Sequence, residues 1–294
     1  MRVVLGDNPF FGVNHRTGSK VLESAEKRFV AAADVIATAN RIGVKTLMLS
    51  THPGYEDLLD AARLKLPAGH SFEIAPVVPY PHTLNNAIAQ DGYFGLVKKL
   101  GVGSLASVGL DVVQFMGFFG SKNGVKLKKA FQLIIRMELE KIRARGFVVK
   151  HACLHNIITD LLLALDRVDI LQGFVAACES DGIKPVLITQ NAACALSADI
   201  KGDFVACFTF NCLGYMVNPS LEKVVEAIRR PRRPGSELWA MQILASGAIG
   251  SERALLDENL DCFDAVLYAT TKPARVEEFV GALEERGLAR TALA

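Results

Sequence analysis

No CxxC pair, no HExxH or HxH, no GxGxxG after the first apolar run and no apolar stretch of about eighteen residues occurs in this sequence. Each absence removes a class of protein. Six scattered cysteines (Cys153, Cys178, Cys194, Cys207, Cys212, Cys262) without framework spacing argue against a disulfide-stapled secreted domain or a zinc finger, and read as reduced core thiols. The missing zincin motif argues against a helix-borne metalloprotease site, and the missing glycine fingerprint against a Rossmann domain. Without a long uncharged run there is no candidate membrane helix, and MRVVLGDNPFF lacks the basic and apolar regions of a signal peptide. The expectation is a cytoplasmic protein with no membrane partner.

A marked excess of either charge is lacking as well. The formal net charge is +2 with both signs interspersed, which does not suggest a nucleic-acid partner. One dense basic cluster, Arg229, Arg230, Arg232 and Arg233 around Pro231, reads as a solvated loop between a helix and a strand, with phosphate or RNA binding as the alternative.

What is present is apolar material in short, regular pieces. Half of the 294 residues are hydrophobic and mean hydropathy is +0.26, so a large core is expected. Aliphatic runs alternate with amphipathic helical segments, the pattern of successive βα units and a parallel sheet. Eight strands are expected, at Arg2–Gly6, Thr46–Ser50, Glu73–Val78, His151–Leu154, Pro185–Thr189, Val205–Phe210, Trp239–Leu244 and Ala265–Tyr268. Caps place some helices well: Ser24–Ile42 ends at Gly43, Ser220 precedes Leu221–Arg229, and Thr271 precedes a helix opening at Pro273. Eight short strands with polar residues at their C-terminal ends fit a single (β/α)₈ TIM barrel spanning residues 1–294.

The third unit is oversized. About seventy residues separate Tyr80 from His151 where about twenty-five suffice, so a helical insertion is expected at 83–124. Its apolar, glycine-rich middle is compatible with a lid over the barrel mouth, a packed hairpin at the rim, or a contact in a homo-oligomer.

In such barrels the chemistry sits where strands end. Asp7, His52, Tyr55, His82 and His155 are the catalytic candidates. Imidazoles at strand ends shuttle protons near neutral pH, and Asp7 is the lone carboxylate at an expected strand end, a base or the orienter of a histidine. Its other reading is a turn cap before Pro9. Asn8, Asn156, Gln190, Asn191 and Asn211 are expected to bind substrate. Asp7 with the three histidines offers ligand types acceptable to a divalent metal, but without a spacing motif no metal is favoured. Ser246, Gly247, Thr271, Lys272 and Arg275 border the seventh and eighth strands, where helix N-termini commonly take a phosphate.

MQILASGAI followed by DAVLYATTKPARVEEF resembles the closing strands of aldo/keto reductases, in which a Lys-Pro-x-Arg segment binds the phosphate and adenosine of NADPH. ACLHN, with His155, is similar to the family's fourth-strand histidine, and LITQNA lies where the family holds the nicotinamide amide. The resemblance covers roughly residues 148–287 and implies a TIM barrel with NADPH as a possible cofactor. Val77 and Met48 stand at the places of the family's third-strand lysine and second-strand aspartate, so a reductase of this kind needs a rearranged proton donor, Tyr55 or His155. Three functions follow as expectations. The first is acid/base chemistry on a small polar, anionic metabolite by a lyase, isomerase or hydrolase that works without nicotinamide; the second is an NAD(P)H-dependent oxidoreductase; the third is a catalytically silent binding barrel.

Overall fold

The computed structural model describes residues 1–12, 24–78 and 124–288. His82, and the expected insertion apart from Gly124, lie outside the described residues. Eight parallel strands close into a barrel in chain order: β1 Arg2–Gly6, β2 Thr46–Ser50, β3 Glu73–Val78, β4 His151–Leu154, β5 Lys184–Thr189, β6 Val205–Thr209, β7 Glu237–Met241 and β8 Ala265–Tyr268. Closure is made by β1 against β8, with Val4 opposite Leu267. The described helices are α1 Ala25–Arg41, α2 Tyr55–Lys65, α3 Gly124–Ala144, α4 Asn156–Ala164, α5 Val168–Ser180, α6 Ala192–Ser197, α7 Leu221–Ile228, α8 Ser251–Ala254 and α9 Pro273–Glu285.

Strand pleating sorts the side chains into two cores. On β4, Cys153 joins an interior cluster with Val4, Met48, Val77, Val186 and Trp239, whereas Ala152 and Leu154 belong to the layer between strands and helices. Both faces are buried, which is why these strands read as continuous aliphatic runs. Helices begin where the side chains can cap them: Ser24 Oγ accepts from Lys27 N at 3.4 Å and Ser220 Oγ from Lys223 N at 3.3 Å. The seventh strand stops at Met241, three residues before the expected end. Gln242 has φ of 57°, a left-handed conformation that breaks the extended backbone.

The barrel interior is not apolar to its base. At the N-terminal ends of the strands, Glu73 contacts His151 Nδ1 at 2.5 Å and accepts from Thr46 Oγ1 at 3.0 Å. Across the floor, Glu237 accepts from Lys184 Nζ at 2.8 Å and Trp239 Nε1 at 3.1 Å, and it pairs with Arg2. The rings of His151 and Trp239 lie 5.0 Å apart, so the two groups form one polar floor beneath the aliphatic layers.

Candidate active site

Gly6 ends β1 in a tight space: a Cβ there would come within 3.3 Å of Ala269 Cβ. The chain then turns through the single 3₁₀ turn Asn8–Phe11, and Asp7 does not cap that turn with its side chain. Instead its Oδ2 crosses to β2 and accepts from the Ser50 backbone N–H at 2.6 Å. The turn-cap reading of Asp7 is thereby replaced by a cross-strand bond at the barrel rim. Only 6% of the residue is exposed. Burial pushes its carboxyl up to about 6, against the lowering effects of the Ser50 hydrogen bonds and the charge of nearby His52.

His52 stacks on Phe11, ring centroids 5.0 Å apart, and its Nδ1 lies 2.8 Å from the Pro53 carbonyl oxygen. A carbonyl can only accept, so Nδ1 carries the proton and Nε2 of the neutral ring holds a lone pair. His155 has the opposite tautomer. It is the N-cap of α4, with the Ile157 N–H donating to its Nδ1 at 3.2 Å, so its Nε2 bears the proton. The two neutral rings thus hold opposite tautomers.

Several expected residues serve the scaffold. Tyr55 opens α2 and lies between helices, its hydroxyl donating to Glu138 of α3; burial and that carboxylate hold its phenol well above the usual tyrosine range. This corrects the expectation of a proton donor at the mouth. Asn211 uses both ends of its amide on the Tyr215 backbone, each at 2.9 Å, and Asn191 caps α6 by accepting from Cys194 N at 3.1 Å. Asn8 is exposed on the 3₁₀ turn and Asn156 is the first residue of α4. Gln190 is partly exposed at the end of β5, where its backbone N–H donates to Asp160 at 3.0 Å. Asp160 also accepts from the Thr189 hydroxyl. Sequence reasoning missed it because it belongs to a helix, not a strand end; its one signal is its place in the first turns of α4, four residues after Asn156.

Three N–H groups of the expected phosphate cradle are bonded within the chain. The Gly247 N–H bonds Leu244 O at 2.9 Å, the Ala248 N–H bonds Ala245 O at 3.2 Å, and the Lys272 N–H bonds Thr270 Oγ1 at 3.1 Å. Arg275 pairs with Glu278 at 3.2 Å, Thr271 and Lys272 are exposed, and the Ser246 hydroxyl is buried with no hydrogen-bond partner among the described residues. Among the described residues no group of three or more His, Cys, Asp or Glu is placed to hold a metal ion, and no helix is long and apolar enough to cross a membrane.

A closed (β/α)₈ barrel with a buried carboxylate and a histidine at one rim is the class that fold and site define. The fold is that of a single TIM barrel with helices between parallel strands. It is similar to a candidate aldo-keto reductase of Pseudomonas aeruginosa, with a TM-score of 0.54 at 14% identity over 96% of this chain and 89% of that one. A candidate 2,5-diketo-D-gluconic acid reductase B follows at 0.49 and 14% identity, covering 99% of this chain and 88% of that one. A glycosyl hydrolase from Mycobacterium smegmatis aligns at 0.45 and 13% identity over 86% and 85% of the two chains. No protein-family model and no curated protein matches the sequence. At these identities the likeness is one of fold.

Proposed function

We propose that the chain is an acid/base enzyme working at the mouth of its barrel on a small polar metabolite, as an isomerase, lyase or hydrolase. The observation that carries this reading is Asp7. A buried carboxyl with its proton equilibrium near 6, fixed by the Ser50 N–H and beside a histidine, is poised to take and return a proton at physiological pH. His52 and His155, held in opposite tautomers, are the further candidates for proton transfer, and Gln190, partly exposed at the end of β5, is a candidate for orienting a substrate. The matching experiment incubates the protein in D₂O with a panel of small hydroxy acids, oxo acids and sugar phosphates and reads deuterium incorporation or product by NMR. Turnover of one panel member is expected, falling by a factor of about 10² to 10⁴ in Asp7→Asn. Undiminished turnover in that variant would remove Asp7 from the chemistry.

A second reading, an NADPH-dependent oxidoreductase, draws on the likeness in fold to a candidate aldo-keto reductase. Several of the residues it would use do not fit it, His155 being the remaining donor. Met48 and Val77 sit in the apolar interior, the Tyr55 hydroxyl is taken by Glu138, and the N–H groups of Gly247, Ala248 and Lys272 are internally bonded.

A further inference from the structure

We propose that a cleft at the N-terminal face of the barrel, opposite the mouth, binds a small amphiphilic anion: a carboxylate on an apolar body of about six carbon atoms. The cleft lies between α6, α7 and the starts of β6 and β7, and encloses about 160 Å³. That is close to the roughly 150 Å³ of a cavity known to accept benzene, so an apolar body of that size fits and a nucleic-acid strand does not.

Its chemistry is divided. Leu196, Phe204 and Leu238 form an apolar wall, and Arg230, Arg232 and Arg233 form the rim. The arginines are set in place by the chain: Arg230 by Glu226 at 2.6 Å, Arg232 by Asp264 at 2.5 Å and Arg233 by the Ile200 carbonyl. A guanidinium has five N–H donors, so these anchors orient each group and leave donors to give to a carboxylate. Glu237 is the one acidic residue lining the cleft, and it is already engaged by Lys184 and Arg2. The arginine cluster is thus an oriented anion rim over an apolar hole, and it is independent of the chemistry at the mouth.

Trp239, the single tryptophan, makes the test direct, because its Nε1 donates to Glu237 at 3.1 Å. The full chain is titrated at constant ionic strength with hexanoate, 1-hexanol and sulfate, reading tryptophan fluorescence and the thermal midpoint. Hexanoate is expected to give a saturable response with Kd of about 1 mM or tighter. The affinity should fall at least about tenfold in Arg232→Gln/Arg233→Gln and about threefold in Arg230→Gln. Arg230 lies just beyond α7 and its guanidinium pairs with Glu226 of that helix, so its variant decides the matter if the double variant fails to fold. An equal response to hexanol, an equal response to sulfate, no saturation with hexanoate, or undiminished affinity in Arg230→Gln would each overturn the proposal.

Discussion

Asp7 is held in a compromise that its substitution should expose. Its folded value of about 6 lies above the unfolded value near 3.9, so the folded state binds the extra proton between them. The stability tied to that proton is complete below about pH 4 and is lost as pH rises through 6. Asp7→Asn removes the ionisation and keeps an oxygen for the Ser50 N–H. Denaturant unfolding should therefore find the variant more stable at pH 7.5, by up to about 3 kcal/mol for two pKa units, and no more stable at pH 4. A loss at both pH values would mean that the carboxylate is a structural acceptor. His155 separates differently, since it caps α4 and is also a proposed proton donor. Asparagine is a good N-cap, so His155→Asn should keep the wild-type melting temperature and lose turnover, while His155→Ala should lose turnover and about 1 kcal/mol of stability besides. These candidates were legible in the sequence only by position. The strand-end rule names Asp7, His52 and His155, but tautomer and burial depend on Ser50, Pro53 and Ile157, which the rule does not weigh.

At the scale of elements, the floor of the barrel ties strands together through charge. Burial drives the Glu73 carboxyl upward, and the bonds from His151, Thr46 and the Lys150 N–H outweigh it, leaving the group lowered. A lowered carboxylate stabilises the fold above its unfolded value and loses that contribution as pH falls through the folded one. Glu73→Gln should cost about 1.5 to 3 kcal/mol at pH 7, the usual worth of a hydrogen bond to a charged group, and should flatten the acid limb of the stability profile below about pH 4.5. Equal acid limbs in the two proteins would place the acid sensitivity elsewhere. Between α2 and α3, the Tyr55–Glu138 bond is a helix-packing contact. Tyr55→Phe is accordingly expected to leave turnover within about twofold while lowering the melting temperature, for loss of one hydrogen bond to a charged group of about 1.5–3 kcal/mol. A loss of turnover on the scale of 10² with stability intact would restore the tyrosine as a proton donor.

For the whole molecule, the closed barrel and the internally bonded loops after β7 and β8 bear on the cofactor. With the N–H groups of Gly247, Ala248 and Lys272 committed to Leu244, Ala245 and Thr270, NADPH titrated by fluorescence is expected to show no saturable binding below about 1 mM. Micromolar binding that weakens in Lys272→Gln would favour the oxidoreductase instead.

The alternation of aliphatic runs with capped amphipathic helices was enough to give eight strands, five of them with the bounds found in the fold, because period, length and cap chemistry are local properties. Local properties also placed the polar residues at one end of the barrel. Pairing was beyond them. Nothing adjacent in sequence brings Asp7 to Ser50, Tyr55 to Glu138, Asp160 to Thr189 or Glu73 to His151; closure of the sheet and packing of the helices do so. Those long-range contacts set burial, and burial with hydrogen bonding sets which side chains are ready to move protons and which only hold the barrel shut.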